Sequence, residues 1–317
     1  MSRYVALGDS YAAGVGAGER RGWSWRTDAG YPLDVARATG LDLAYEAVLG
    51  ATCADVRDGQ LGRLGPETEL VSITVGGNDA GFVPVLLEVV HPAWVSDADA
   101  VIDEALATIR DELPGRLQRL LAQVRAAAPG ARLVVTGYPR LFNEVSDCSP
   151  FTFVTVAEMR RLTTVADALA EAVLAAADDG GADGVDVRAP FDGHQVCDDD
   201  AWLHGLSWPV PESYHPNGAG HRGYATSVLS ALGLDIAAAE GVSPPDVVDG
   251  SCVGSAPGFE LPDLVSPRSL RGAAACGLDP DRVARLGRAV QDDGRPENER
   301  VEEAGELQAM HEEVARG

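Results

Sequence analysis

Two hydrophobic patterns alternate along the first 230 residues. Short apolar runs rich in Val, Leu and Ile occur at 3–9 (RYVALGD), 41–48 (LDLAYEAV), 69–77 (ELVSITVGG), 132–139 (RLVVTGYP) and 184–190 (GVDVRAP). Most run into Gly, Asp or Pro, and they predict buried strands. Between them, spacing of three and four residues predicts helices over 31–39, about 98–128, 155–177 and about 217–232. In the second of these, Val101, Leu106, Ile109, Leu113, Leu117, Leu120, Leu121 and Val124 form one stripe. Pro114 predicts a break or kink within it, because proline lacks the N–H and its ring crowds the preceding turn. Pro32 is tolerated in the first turn of 31–39, and Gly40 ends that helix. Strand–helix alternation of this kind predicts an α/β fold, a parallel sheet covered by helices on both faces.

Beyond residue 234 the pattern changes, which divides the chain into 1–234 and a C-terminal extension, 235–317. Residues 239–269 are rich in Pro, Gly, Ser and Asp and read as a linker or an irregular segment. Two helix-prone pieces follow, at 280–291 and about 297–315. The second is acidic and weakly amphipathic. It reads as a solvated terminal helix, with a lid or a homo-oligomer contact as the alternatives.

Composition narrows the function classes. The 317 residues are 45% hydrophobic, as expected of a globular core, but carry a formal charge of −24. That balance argues against nucleic acid as a partner, since phosphate binding needs clustered cations. It argues equally against docking on anionic membrane through a basic patch. No apolar run reaches the roughly 18–20 residues of a transmembrane helix, and no leader precedes the first strand. Five cysteines leave at least one thiol unpaired within the monomer. Cys148 and Cys197 are free to pair across a loop region, or to remain thiols like Cys53, Cys252 and Cys276.

The chemistry lies at strand ends. Ser10 leaves the first strand after a Gly-Asp pair, and ligand sites of open parallel sheets lie at the strands' carboxyl ends. Gly50 closes the second strand, and Gly76-Gly77-Asn78-Asp79 closes the third. Ser10 N–H, Gly50 N–H and the Asn78 amide together make a candidate oxyanion hole, which needs two or three preorganised donors. His215 precedes a Pro-Asn-Gly turn and is the candidate base for Ser10. Either Glu212, three residues earlier, or a main-chain carbonyl near Ser213 would orient it. Other signals are weaker. Gly14, Gly16 and Gly18 fit no phosphate loop and read as a mobile active-site loop. His194, Cys197, His204 and Asp198–Asp200 match no zinc spacing. His221 reads as support for the helix start. Trp23, Trp25, Trp202 and Trp208 are candidates to wall an acyl pocket, or simply to pack.

Taken together, GDSYAAG (8–14), Gly50 in LGATCADV, GGND (76–79) and SYHPNGAGH (213–221) resemble the four blocks of the SGNH hydrolases, the GDSL-like esterases and lipases, in their order and spacing. Tyr11 stands where the motif name has Leu. FDGHQVC (191–197) and GGNDAGF bring the resemblance nearest to the actinobacterial lipase-like branch. The resemblance implies a flavodoxin-like three-layer α/β/α sandwich and catalysis without metal or cofactor, through an acyl-enzyme on Ser10. It also implies that His215 is the base. The family's acidic residue is usually Asp three positions before the histidine, whereas Glu212 stands here, and some relatives use a main-chain carbonyl instead. Relatives of the secreted branch carry disulfides whose positions here are Val48 and the Val89–Val90 region, while the Cys148–Cys197 pair is retained. Loss of those bridges and the lack of a leader favour the cytoplasm, with secretion after leader removal as the alternative.

The expected activity is hydrolysis of a small-molecule or lipid carboxylic ester. An acyltransferase using the same site is the alternative, because the outcome depends on whether the closed site excludes water. A non-catalytic binding protein on the same fold is the third reading.

Overall fold

The computed structural model describes residues 3–21, 25–146, 148–243, 245–252, 254, 263–292 and 294–316. Six strands among them form one parallel sheet: β1 (Tyr4–Gly8), β2 (Leu43–Tyr45), β3 (Leu70–Thr74), β4 (Arg132–Thr136), β5 (Asp183–Val185) and β6 (Val247–Asp249). Their spatial order is β5-β4-β3-β1-β2-β6, with β1 and β3 in register over five residues, Tyr4↔Leu70 to Gly8↔Thr74. Both central strands are wholly buried, which explains their continuous rather than alternating hydrophobicity. The chain leaves β1 toward β2 on one side and returns to β3 on the other. That reversal opens a crevice at the carboxyl ends of β1 and β3.

Twelve helices among the described residues connect and cover the sheet: α1 (Ser10–Ala13), α2 (Tyr31–Thr39), α3 (Cys53–Asp55), α4 (Phe82–Val89), α5 (Ala98–Asp111), α6 (Leu113–Ala127), α7 (Val156–Asp179), α8 (Arg188–Phe191), α9 (Gly218–Leu232), α10 (Pro267–Ala275), α11 (Pro280–Gln291) and α12 (Glu297–Arg316). Helix α2 packs with α9, and α4 to α7 pack as a second group, giving the three layers expected. The predicted 98–128 helix is two helices broken at Glu112, with Pro114 in the first turn of α6, where its missing N–H costs no hydrogen bond. Asn217 caps α9 by accepting from Ala219 and Gly220.

Three local expectations need correction. The strand expected over 184–190 is only Asp183–Val185. Asp186 accepts from the Arg188 N–H and pairs with its guanidinium, and that turn starts α8 instead. Residues 247–249, expected in a linker, extend the sheet as β6. Leu43 N–H donates to Asp246 O at 2.9 Å and Gly250 N–H to Tyr45 O at 2.8 Å. The buried Arg26 guanidinium secures this edge by donating to the carbonyls of Glu46, Gly250 and Cys252. Finally, the terminal helix is not a solvated tail. Ala304, Leu307 and Met310 recur at three-residue spacing and are buried with Val283 and Leu286 of α11, and with Trp94 and Phe153, in a second hydrophobic core.

Candidate active site

Ser10 is the first residue of α1, directly beyond β1. Gly8 permits the sharp exit: its φ is +131°, and a Cβ there would lie 2.1 Å from Thr74 O. Asp9 caps α1 by accepting from Tyr11 N–H at 3.0 Å. The Ser10 hydroxyl lies 2.8 Å from His215 Nε2, and His215 Nδ1 lies 3.0 Å from the main-chain carbonyl of Ser213. A carbonyl can only accept, so Nδ1 carries the ring proton, and Nε2 is left to accept from Ser10. Burial lowers the His215 pKa to about 4; the neighbouring His204 also disfavours the charge, and the Ser213 carbonyl opposes the shift.

The His215 loop is held at several points. His204 N–H donates to His215 O at 2.9 Å and Tyr214 N–H to His204 O at 3.2 Å. The Ser207 N–H donates to Ser213 Oγ at 3.0 Å. Tyr214 sits in the left-handed region at φ +60°. Of the two candidate orienting groups, the Ser213 carbonyl lies against Nδ1 and the Glu212 carboxylate does not. Glu212 ends a short 3₁₀ turn (Val210–Glu212), and its carbonyl accepts from His215 N–H at 3.2 Å. Its carboxylate forms no hydrogen bond or ion pair with a described residue.

Gly50 occupies the left-handed region at φ +81°. Neither its N–H nor that of Ser10 has an acceptor among the described residues. Asn78 Nδ2 donates to Ala51 O at 3.0 Å, which ties the asparagine to the Gly50 loop and leaves one amide hydrogen unassigned. Asp79 strengthens the tie by accepting from Cys53 N–H at 2.8 Å.

Two residues escaped the sequence reading. The Tyr138 hydroxyl donates to Asp9 Oδ2 and accepts from Gly77 N–H at 3.1 Å, linking the nucleophile turn to the GGND turn. Burial raises the Asp9 pKa to about 7, against the bonds from Tyr138, Tyr11 and Ala12. Only Asp9 carried a local signal, as a helix cap; its pairing with Tyr138 spans 129 residues.

An apolar pocket opens beside Ser10 and His215, walled by Leu49, Phe82, Val83, Leu86, Val210 and Pro211. None of the described tryptophans lines it, contrary to the candidate role of Trp25, Trp202 and Trp208. Trp25 lies under the Arg20 guanidinium, Trp202 stacks on His194 at 4.0 Å, and Trp208 is 64% exposed. Trp23 lies outside the described residues. The Gly14–Gly18 loop is pinned rather than loose. Val15 and Ala17 are buried, and His221 and His204 donate to Val15 O and Gly16 O at 3.3 and 2.8 Å. His204 is thereby used structurally, as is Cys197, which forms a disulfide with Cys148.

Residues 6–222 match the GDSL-like Lipase/Acylhydrolase family. A lipase of Streptomyces rimosus is 40% identical over 237 residues, covering 72% of this chain and 86% of the relative. Lipase 1 of Streptomyces coelicolor is 37% identical over 234 residues, covering 72% and 85%. Among solved structures, phospholipase A1 of Streptomyces albidoflavus superposes with a TM-score of 0.65 at 39% identity, covering 73% of this chain and 97% of that one. The extracellular lipase of S. rimosus gives 0.67 at 36% identity, covering 72% and 98%. The chain belongs to the GDSL-like lipase/acylhydrolase family. It is therefore a carboxylic ester hydrolase on an SGNH fold. None of the described helices is long and apolar enough to cross a membrane.

Proposed function

We propose that the protein hydrolyses esters of apolar acyl chains through an acyl-enzyme on Ser10. The observation that carries this is the chain of contacts from Ser10 Oγ to His215 Nε2 and from Nδ1 to Ser213 O, beside an apolar pocket. His215 takes the Ser10 proton as Oγ attacks the ester carbonyl carbon. The resulting oxyanion accepts from Ser10 N–H, Gly50 N–H and Asn78 Nδ2. Collapse expels the alcohol oxygen, which takes the proton back from Nε2. Water then repeats the sequence on the acyl-enzyme and frees the acid. The Ser213 carbonyl holds the imidazole in the required tautomer, and Glu212 has no part in this step.

The pocket walls suit the aliphatic acyl half of a lipid ester, in keeping with relatives named lipase and phospholipase A1. The Cys148–Cys197 disulfide supports an oxidising compartment, which is the secreted alternative rather than the cytoplasm. The test is hydrolysis of p-nitrophenyl esters from acetate to palmitate by wild type and Ser10→Ala. Turnover lost in the variant, with an unchanged circular dichroism spectrum, supports the reading. Turnover retained by Ser10→Ala ends it.

A further inference from the structure

Helices α10 to α12 lie beyond the 6–222 span of the family, and 73% of this chain already accounts for 97% of the S. albidoflavus phospholipase. They do not reach the pocket beside Ser10. Instead they grip the helix that forms its wall. Phe82, Val83 and Leu86 of α4 line the pocket, and the chain leaves α4 through a turn at 90–97. That turn is rigidly part of α4: Glu88 accepts from Asp97 N–H through Oε1 at 2.6 Å, and from Ser96 Oγ through its carbonyl at 3.2 Å.

Phe153 packs edge-on against Trp94 of the turn, and the extension adds a set of polar holds. Trp94 is 5% exposed and sits in the second core, with its Nε1 donating to Ser269 Oγ at 3.1 Å. Ala93 N–H donates to His311 Nδ1 at 3.0 Å. Arg268 donates to Val95 O at 2.9 Å and to Glu88 Oε1 at 3.2 Å, reaching α4 itself. Gly272 allows the closest approach, since a Cβ there would lie 2.0 Å from Trp94 O. The other end of α4 follows Gly81, which is at φ +76° and gives no side-chain cap, and is tied to the GGND turn by Phe82 N–H donating to Gly77 O at 3.1 Å. The extension therefore holds the end of α4 that the GGND turn does not.

We propose that the C-terminal helices act as a clamp on α4 that sets the depth of the acyl pocket, making Trp94, Ser269 and Arg268 specificity-determining positions. The clamp excludes long acyl chains by keeping Phe82 and Leu86 pressed toward Ser10. This rests on the ester-hydrolase reading above, because the pocket must hold the acyl group.

The experiment compares the full-length wild type with Trp94→Ala and with the double variant Arg268→Ala/Ser269→Ala, which leaves the second core intact if loss of Trp94 prevents folding. Hydrolysis of p-nitrophenyl butyrate to palmitate is measured alongside amide hydrogen exchange over residues 82–97. Faster exchange in 82–89 is expected, with kcat/KM on butyrate unchanged. The palmitate-to-butyrate ratio of kcat/KM is expected to rise by at least about tenfold, the low end of what fitting one methylene in an apolar pocket is worth. Unchanged exchange in 82–89, or faster exchange with an unchanged ratio, overturns the clamp while leaving the hydrolase reading intact. Wild type inert on every ester overturns the hydrolase reading, and the clamp falls with it.

Discussion

The hydroxyl of Tyr11 donates to the main-chain carbonyl of Tyr214 across 2.9 Å, joining the residue after the proposed nucleophile to the residue before its proposed base. The tyrosine ring also packs against the His215 imidazole, with centroids 5.2 Å apart. Tyr214 holds a left-handed conformation that costs a bulky residue about 1–3 kcal/mol, so something must keep it there. With the Ser213 carbonyl at Nδ1, this strap adds to the contacts that fix the imidazole relative to Ser10. Tyr11→Phe keeps the ring and removes the strap. We expect kcat to fall by about tenfold with KM little changed, as small displacements of reacting groups do. Rescue is expected from no apolar residue at this position. An unchanged kcat in steady-state kinetics would remove Tyr11 from the positioning of His215.

Glu212 offers the opposite test. If a carboxylate oriented His215, neutralising it would cost about 10⁴ in kcat, as replacement of a triad aspartate by asparagine does in the serine proteases. The Ser213 carbonyl already occupies Nδ1, so Glu212→Gln is expected to change kcat/KM by less than about threefold, within the effect of a surface substitution. A loss of two orders of magnitude would return the orienting role to Glu212.

How much of this was legible in the sequence follows from the range of the interactions. The central strands and the break at Pro114 are local signals, carried by apolar runs and by one residue type, and they appear where the pattern put them. Ser10, Asn78 and His215 lie in turns or at a helix start beyond the strand ends and line one pocket, while Gly50 lies outside that lining and is tied to it through the bond from Asn78 to Ala51 O. Strand β6 was hidden because Val247–Asp249 has only three residues. Its place is fixed by pairing with β2 and by the Arg26 guanidinium, more than 220 residues away in sequence from its Gly250 and Cys252 acceptors. The roles of Tyr11 and Tyr138 were hidden likewise, since their partners lie 203 and 129 residues away. The burial of Trp94 has no local sign because the core around it is assembled from Phe153 and from α10 to α12, far along the chain.

The His215 shift fixes the acid limb of the pH profile. Only the neutral imidazole accepts the Ser10 proton, and burial brings its pKa down to about 4. The neutral fraction grows as pH rises through that value, so kcat/KM should rise there and lie flat from about pH 5 to 6.5, where an unshifted histidine would still be titrating. Stability should move in the same direction over the same window. His215 and His221 both have folded pKa values near 4 against an ordinary 6.5. Between those values the unfolded chain binds protons that the folded chain refuses, so the histidines' contribution to stability falls as pH drops from about 6.5 to 4. Rate profiles on a neutral ester substrate check the first statement. An inflection in kcat/KM near 6.5 would show that the imidazole is solvated in the working enzyme.

Gly16 separates backbone strain from the geometry of the site. Its φ is +93°, and an added Cβ would lie 2.6 Å from Pro216 O, 3.1 Å from the His204 ring and 3.2 Å from His215 Cβ. Two of these neighbours flank or form the His215 loop, and the third is the ring that donates to Gly16 O. Gly40 also has a positive φ, +66°, but nothing lies within 4 Å of its missing Cβ. Alanine at either position carries a backbone penalty of about 1–2 kcal/mol. Only at Gly16 must the Pro216 carbonyl and the His215 backbone move as well. A displacement of about 1 Å is enough to cost about 10²-fold in rate. Gly16→Ala is therefore expected to lose activity by that order, while Gly40→Ala loses melting temperature alone. Equal activities in the two variants, each folded by circular dichroism, would mean that the Gly14–Gly18 loop yields without moving His215.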